Sequence, residues 1–223
     1  MTDVLVIGID GLSVPHYEEL KENGVIPNLS GLIEDSAWGE LRSTVPPQTP
    51  PAWISFITGK NPGKHGIFGF SKVDEGTGER AVYSYSDVAT EDMFDYLEAE
   101  GKTVGAMNIP FTYPPHEVDG FLISGFPTEG IETFTYPAEL GEELQAEGYK
   151  VRVQDEDDED EYVDVVRQRG ETMRRLLRER DPDVFVGVFK ENENAHHQYW
   201  EEPLLERIYA AMDEEIGKLL EMV

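Results

Sequence analysis

The chain has 223 residues, enough for one well-buried domain, and 46 acidic residues against 18 basic ones give it a formal net charge of −28. A chain this acidic repels nucleic acid and anionic membranes, so we expect neither as a partner. Hydrophobic residues make up 39% of the chain and aromatic residues 10%, which suffices for a packed core, and the lack of cysteine excludes disulfide and thiolate chemistry.

The first predicted element is the apolar run "VLVIGID", from Val4 to Asp10, which Gly11 stops. A continuous run of this length is typical of a strand buried on both faces. It has no basic flank and is too short for a signal peptide or a membrane helix, so we expect a cytoplasmic protein. Because salt screens the repulsion between acidic groups, the charge further indicates the cytoplasm of a halophile.

Strands and helices then alternate along the chain. Further strands are predicted at "WGELRS", "TVGAMNI", "FLISG", "YKVRV" and "DVFVGVF". Helices are predicted at about Val14 to Glu22, Asn28 to Glu34, from Thr49 onward, at "MFDYLEAEG" and "YPAELGEELQAEG", from Tyr162 to Arg180, and from Pro203 to the end. The seven acids from Asp155 to Glu161 indicate a solvated loop, because like charges repel and extend the chain. The alternation predicts an α/β fold with a mostly parallel central sheet covered by helices on both faces, in a single domain over residues 1–223.

The stretch "TVPPQTPPAWISFITGKNPGKHG", from Thr44 to Gly66, surrounds one threonine with prolines. Proline costs nothing at the first position of a helix, so Pro50 and Pro51 can open one, and Thr49 is then expected at the N-cap. Two interpretations of Thr49 remain open. Its hydroxyl can serve only as a cap, worth about 1 kcal/mol. It can also be a nucleophile beside a phosphate-like anion that the helix dipole and free amides attract.

Polar residues also follow two of the predicted strands. Asp10 ends the first strand, and the segment "KENENAHHQYW" after "DVFVGVF" carries Glu191, Glu193, His196 and His197. In an open sheet of this type, ligands gather at the carboxyl ends of the strands. Glu193 and His197 are four residues apart, so they share one face if the segment is helical, and both residue types bind metals.

Seven segments, taken in order, resemble the type I phosphodiesterase and nucleotide pyrophosphatase branch of the alkaline phosphatase superfamily: "VIGIDGL", "PNLSGL", "PPQTPPAWISFITGKNPGKHGIF", "NIPFTYPP", "GFLISGF", "FTYPAEL" and "HHQYW". The resemblance spans nearly the whole chain, and the threonine block is its most specific part. It implies an alkaline-phosphatase-like fold and favours the nucleophile over the cap for Thr49. It also implies hydrolysis of a small phosphoester by two divalent metal ions, commonly zinc, that share the phosphate between them.

The resemblance also assigns roles to individual residues. Asp10 and Thr49 match ligands of the first metal ion, with Thr49 also the nucleophile, and His197 matches a ligand of the second. Glu193 stands where the family has an aspartate, which is one methylene shorter. The Asp-His pair and the later histidine that complete the family's sites have no counterpart in this sequence, so we expect a fold that lacks the family's C-terminal part. With two protein ligands for each ion, against three for a typical catalytic zinc, metal binding is expected to be weak.

Two hypotheses about function follow from these observations. The first is a metal-dependent hydrolase of phosphoesters, working alone, as a homo-oligomer or with a complementing chain. The second is a catalytically impaired or split-gene homologue that acts as a binding or assembly module. The leaving group of the substrate stays open under both hypotheses, because no residue in the sequence identifies it.

Overall fold

A computed structural model describes residues 2–74, 76–128, 133–200 and 202–222 of the chain, and strands alternate with helices along them. The strands are β1 (Val4–Ile9), β2 (Ser71–Val73), β3 (Arg80–Val82), β4 (Val104–Met107), β5 (Gly120–Ile123), β6 (Thr135–Tyr136) and β7 (Val184–Phe189). The helices are α1 (Val14–Glu22), α2 (Pro27–Glu34), α3 (Thr49–Thr58), α4 (Pro62–His65), α5 (Met93–Ala99), α6 (Ala138–Ala146), α7 (Glu159–Arg180), α8 (Glu191–Gln198) and α9 (Pro203–Leu220).

The central sheet carries its strands in the order β1-β7-β4-β5-β6 within the described ranges. β4 and β5 run parallel, and β6 is antiparallel to β5. β2 and β3 form a separate antiparallel pair. The mostly parallel sheet flanked by helices confirms the predicted α/β fold class. None of the helices in these ranges is long and apolar enough to cross a membrane.

Two of the predicted strands are wrong. Residues 38–43, "WGELRS", form no strand, and all six residues are exposed, so their apolar side chains face no core. Residues 149–153, "YKVRV", also form no strand, because side chains of α7 bind their backbone instead of a neighbouring strand. Gln168 Oε1 accepts from the Lys150 amide at 2.7 Å, and Arg169 donates to the Val151 carbonyl at 2.8 Å. The short strands β2, β3 and β6 were not predicted.

The acidic run from Asp155 to Glu161 is only partly a loop, because α7 begins at Glu159 instead of Tyr162. Asp158 is the N-cap of α7, and acids in the first turn interact favourably with the positive end of the helix dipole. Glu161 is buried and binds Lys150 Nζ at 2.5 Å. The loop prediction is therefore wrong for the last three acids of the run.

The strand β1 is less buried than predicted. Val4 is 47% exposed and the other residues of the strand are half-buried, although the prediction was burial on both faces. The reason is its place in the sheet. In the described strand order, β1 has a neighbouring strand on one side only. Its sequence did not predict this edge position, because edge and central strands contain the same residue types.

The chain divides into two compact units. Unit 1 comprises Met1–Leu41, Gly148–Asp181 and Gly187–Val223, and unit 2 comprises Arg42–Glu147 and Pro182–Val186. The strand β7 contributes residues to both units. The single domain over residues 1–223 stays a prediction.

In unit 1, α9 packs closely against α7 and α2. A Cβ added to Gly170 of α7 would lie 2.2 Å from the Glu215 carboxylate of α9, so only glycine allows this approach of the two helices. The buried Asp213 of α9 accepts from the backbone amides of Asn28 and Leu29, at 2.9 and 2.8 Å. Because α2 begins at residue 27, Asp213 acts as a cap supplied by another helix.

In unit 2, the buried strands β4 and β5 form the centre of the core. All four residues of β4 are buried, and Phe121 of β5 packs directly over the backbone of Gly105. Asn108 follows β4 with a φ of +62°, a left-handed conformation that asparagine tolerates better than most residues. The segment after Asn108 still bonds to the segment after β5, since the Phe111 amide donates to the Phe126 carbonyl at 2.7 Å.

Candidate active site

The carboxyl ends of β1 and β7 lie side by side in unit 1. The Asp10 amide donates to the Phe189 carbonyl at 3.0 Å, and the Asp10 side chain is buried. Asn192, two residues into α8, donates to the Asp10 carbonyl at 2.6 Å and to the Tyr209 hydroxyl at 2.9 Å. The fold therefore brings Asp10 together with the segment after β7, as the sequence predicted for this type of sheet.

The segment after β7 is helical, so Glu193 and His197 share one face of α8, as their spacing predicted. His197 Nε2 donates to Glu193 Oε1 at 3.0 Å. Glu193 is partly buried, whereas the His197 side chain is 75% exposed. Burial acts to raise the Glu193 pKa, but the hydrogen bond and charge of Lys190, followed by the contact with His197, outweigh it and hold the pKa below its ordinary value.

Lys190 binds the other oxygen of the same carboxylate. Its Nζ donates to Glu193 Oε2 at 2.5 Å and to Asn194 Oδ1 at 2.6 Å. The sequence analysis did not single out Lys190. A lysine three residues before a glutamate is too common a spacing to indicate a site.

The turn between β1 and α1 leaves room for Glu193. Gly11 has a φ of +73°, and a Cβ there would lie 3.3 Å from Glu193 Cγ and 3.8 Å from His196 Nδ1. Glu193 and His196 therefore approach the Gly11 backbone closely.

Glu191 belongs to a buried ion pair. Arg169 Nε donates to Glu191 Oε1 at 3.1 Å, and both side chains are almost fully buried. The guanidinium also lies 4.5 Å from the centre of the Tyr149 ring. Arg169 was missed by the sequence analysis, although it falls on the buried stripe of α7 together with Val166 and Met173.

His196 lies in a cluster of rings in unit 1. Its ring centre is 5.2 Å from that of His16, 5.4 Å from Trp200 and 5.8 Å from Tyr209. Burial, and next the nearby His16, lower the His196 pKa to about 4. A neutral His196 packed among rings is typical of a structural residue, and His16 is half-buried in the same cluster instead of on the surface.

Thr49 lies in unit 2 at the first residue of α3, one position later than predicted. Gln48 is the N-cap and makes no side-chain capping bond, and the Thr49 hydroxyl bonds to no other residue that the structure describes. Pro50 and Pro51 have no amide hydrogen, and the Ala52 amide donates to the Gln48 carbonyl at 3.1 Å. The expectation of several free amides is therefore wrong, because only the Thr49 amide remains in this turn. The positive end of the dipole of this ten-residue helix also lies at Thr49 and can attract an anion.

The His65 side chain bonds to Ser55 of α3. The Ile67 amide donates to His65 Nδ1 at 3.1 Å, so the proton of the neutral ring is on Nε2, which donates to Ser55 Oγ at 2.9 Å. The ring is fully buried, which lowers its pKa. Since Nε2 is a donor, His65 cannot serve as a base for Ser55, and the pair is structural.

Asp10, Thr49, Glu193 and His197 were predicted as metal ligands, and their donor types suit zinc. Over residues 2–74, 76–128, 133–200 and 202–222, no group of three or more His, Cys, Asp or Glu side chains is placed to hold a metal ion. One oxygen of Glu193 binds Lys190, and the other accepts the proton of His197 Nε2. These residues do not by themselves fit a resident metal ion, so the ligand assignments stay predictions.

A model of the type I phosphodiesterase / nucleotide pyrophosphatase family matches residues 4–223. The chain belongs to this family. The match confirms the resemblance found in the sequence, and divalent metal ions are the cofactors of the family. No curated protein sequence matches the chain.

Solved structures confirm the alkaline-phosphatase-like fold. Phosphonoacetate hydrolase from Sinorhizobium meliloti 1021, in complex with phosphonoformate, superposes with a TM-score of 0.74 at 18% identity, over 99% of this chain and 54% of that one. Murine ectonucleotide pyrophosphatase/phosphodiesterase 5 superposes with a TM-score of 0.59 at 14% identity, over 99% of this chain and 52% of that one. The chain thus spans about half the length of these structures.

Proposed function

We propose that the chain hydrolyses small phosphoesters of the phosphodiester or pyrophosphate type, with Thr49 as the nucleophile. The family match over residues 4–223 supports the reaction class. The observation that carries the role of Thr49 is its position at the start of α3. Its hydroxyl caps nothing there, so the stability of the helix does not explain the residue.

The chemistry assigned to Thr49 is transfer of the phosphoryl group to its Oγ1. The oxygen attacks phosphorus, the bond from phosphorus to the leaving oxygen breaks, and the leaving alcohol or phosphate gains the proton that Thr49 loses. The phosphorus keeps its other substituent and is now bonded to Thr49 Oγ1; water then breaks that bond, which restores the hydroxyl and releases the second product. The positive end of the α3 dipole and the Thr49 amide favour the negative charge of the phosphate.

Substitution of Thr49 tests the proposal, with bis(p-nitrophenyl) phosphate as substrate in concentrated NaCl with and without added zinc. Thr49→Ala should lower hydrolysis to the background rate, whereas Thr49→Ser, which keeps a hydroxyl, should retain measurable turnover. Because Thr49 makes no capping bond, the alanine variant should change the free energy of unfolding by no more than about 0.5 kcal/mol.

Thr90→Ala is the matched control, since the Thr90 hydroxyl donates to the carbonyl of the neighbouring Glu91 at 3.2 Å and, among the described residues, bonds to no other group. It should hydrolyse the substrate as fast as the wild type. Equal rates for the wild type and Thr49→Ala would show that another group attacks the phosphate.

A second candidate function is favoured by the bonding of Glu193. Both of its carboxylate oxygens are bonded, one to Lys190 and one to His197, which fits a binding or assembly module, or a subunit whose site a complementing chain completes. A wild-type chain that is folded, monomeric by light scattering and inactive at every zinc concentration would support this candidate. Zinc as the metal, the cytoplasmic location and the halophilic host stay predictions.

A further inference from the structure

Lys190 places a positive charge where β1 and β7 end in unit 1. It directly follows Phe189, whose carbonyl accepts the Asp10 amide at 3.0 Å. It is also the N-cap residue of α8, and its side chain is only 13% exposed. A cation is therefore built into the same edge of the sheet that carries Asp10 and Glu193.

The ammonium of Lys190 has oxygen partners of the kind that a metal ion would take. Nζ lies 2.5 Å from Glu193 Oε2 and 2.6 Å from Asn194 Oδ1. Carboxylate and side-chain amide oxygens are ordinary ligands of hard divalent cations. Lys190 thus holds one of the two Glu193 oxygens, and the pair of Glu193 and His197 keeps only the other for a metal ion.

The stability of α8 does not explain a lysine at this position. The positive end of the helix dipole lies at the N-terminus, so a cation there is unfavourable, whereas Glu191 and Glu193 in the first turn are favourable. Most lysines avoid burial as well. The bonds of Nζ to Glu193 and Asn194 offset these costs, and the bond to the Glu193 carboxylate points to a role for the charge itself.

We propose that Lys190 is the resident counter-ion of Glu193 and competes with divalent metal ions for the Glu193–His197 pair. An ion bound to this pair would meet the ammonium at short range in a partly buried place, where like charges repel strongly. The competition makes metal binding at this pair weak and exchangeable. The proposal rests on the geometry of the pair and does not depend on hydrolysis by Thr49.

Calorimetric titration of the full chain with zinc sulfate, in concentrated NaCl that suppresses binding to surface acids, tests this competition. Lys190→Met removes the charge and keeps a similar length, so it should tighten zinc binding at least tenfold. Adding His197→Ala to that variant should abolish the gain, which assigns the gain to the pair. Lys21→Met is the matched control, since it breaks an exposed lysine–glutamate ion pair, with Glu34 at 3.1 Å, and should bind zinc as the wild type does.

Zinc affinity in Lys190→Met that equals or falls below the wild-type value would overturn the proposal. Lys190→Arg keeps the charge and should bind zinc as the wild type does. A tenfold gain in the arginine variant would also contradict the proposal, because charge could not then be the cause. Circular dichroism checks the fold of each variant, and Lys190→Gln carries the same expectation as Lys190→Met if the methionine variant does not fold.

Discussion

Asn192 fixes the backbone at the end of β1 in unit 1. It is fully buried, and its amide donates to the Asp10 carbonyl and to the Tyr209 hydroxyl. Bonds of this kind hold a strand end more firmly than one main-chain bond does, because the side chain is itself immobile in the core. The position of Asp10 thus depends on α8 and α9 as well as on the sheet.

Spacing along one helix predicted which residues of α8 lie together, whereas the ion pairs around them were not predicted. Glu193 and His197 share a face because residues four apart do so in any helix. The partner of Glu191 was not predictable, since Arg169 lies 22 residues away in the sequence and reaches it only through the tertiary fold. Lys190 is three residues from Glu193, but this spacing is too common to indicate a pair in advance.

The buried His65 predicts a dependence of stability on pH. Burial lowers the His65 pKa below its ordinary value near 6.5. As the pH falls through 6.5, the His65 ring therefore stays neutral in the folded chain but gains a proton in the unfolded chain. Stability from this group is therefore present above about pH 6.5 and lost as the pH falls below it. Calorimetric melts between pH 8 and pH 5 should show a falling melting temperature.

His65→Gln is the comparison for this prediction, since glutamine keeps an amide donor for Ser55 and cannot titrate. It should be less stable than the wild type at pH 8, and its melting temperature should fall less as the pH is lowered. Two curves that run parallel over the whole range would mean that His65 does not contribute to the pH dependence.

At the level of the elements, the predicted helices and the strands β1, β4, β5 and β7 are present in the structure. The helices α1, α7 and α9 and the strand β7 were predicted because their apolar periodicity is itself the cause of their burial. The strands predicted at "WGELRS" and "YKVRV" are absent, because a short run with few apolar residues does not determine which strand it pairs with. In the structure, the backbone of "YKVRV" finds the side chains of Gln168 and Arg169 instead of a strand.

The contact of α9 with α2 predicts a large effect for one buried carboxylate. Asp213→Ala would leave the amides of Asn28 and Leu29 without their acceptor inside unit 1. Asp213 itself is buried, and a hydrogen-bonding group that loses its partner inside a protein costs about 1–3 kcal/mol, so the variant should lose about that much stability. Chemical denaturation by urea, with equal slopes for the two proteins, measures the difference.

Glu214→Ala is the matched control for Asp213→Ala. It removes the neighbouring acid of α9, which is exposed, and should change the free energy of unfolding by no more than about 0.5 kcal/mol. A loss for Asp213→Ala as small as that of the control would show that water replaces the carboxylate as the acceptor.

At the level of the whole chain, the excess of negative charge is the most extreme feature of the composition. The 46 acidic residues outnumber the basic ones by 28, and the acids from Asp155 to Asp158 lie exposed before α7. Self-repulsion of this size opposes any compact state, because the charges lie closer together when the chain is folded. The helical caps and ion pairs described above offset it only locally.

Salt is therefore expected to stabilise the folded chain. The Debye length is about 10 Å at 0.1 M ionic strength and about 3 Å at 1 M, so concentrated salt screens repulsion between neighbouring acids that dilute salt leaves in place. The melting temperature should rise steadily as NaCl is increased from 0.1 M to above 1 M.

Sucrose, which strengthens burial without screening charge, should give a much smaller rise at equal osmolarity. Glu18→Gln with Glu22→Gln, which removes two exposed like charges four residues apart on α1, should raise the melting temperature at 0.1 M NaCl and have little effect above 1 M. A melting temperature that does not change with NaCl would contradict the halophilic interpretation of the charge.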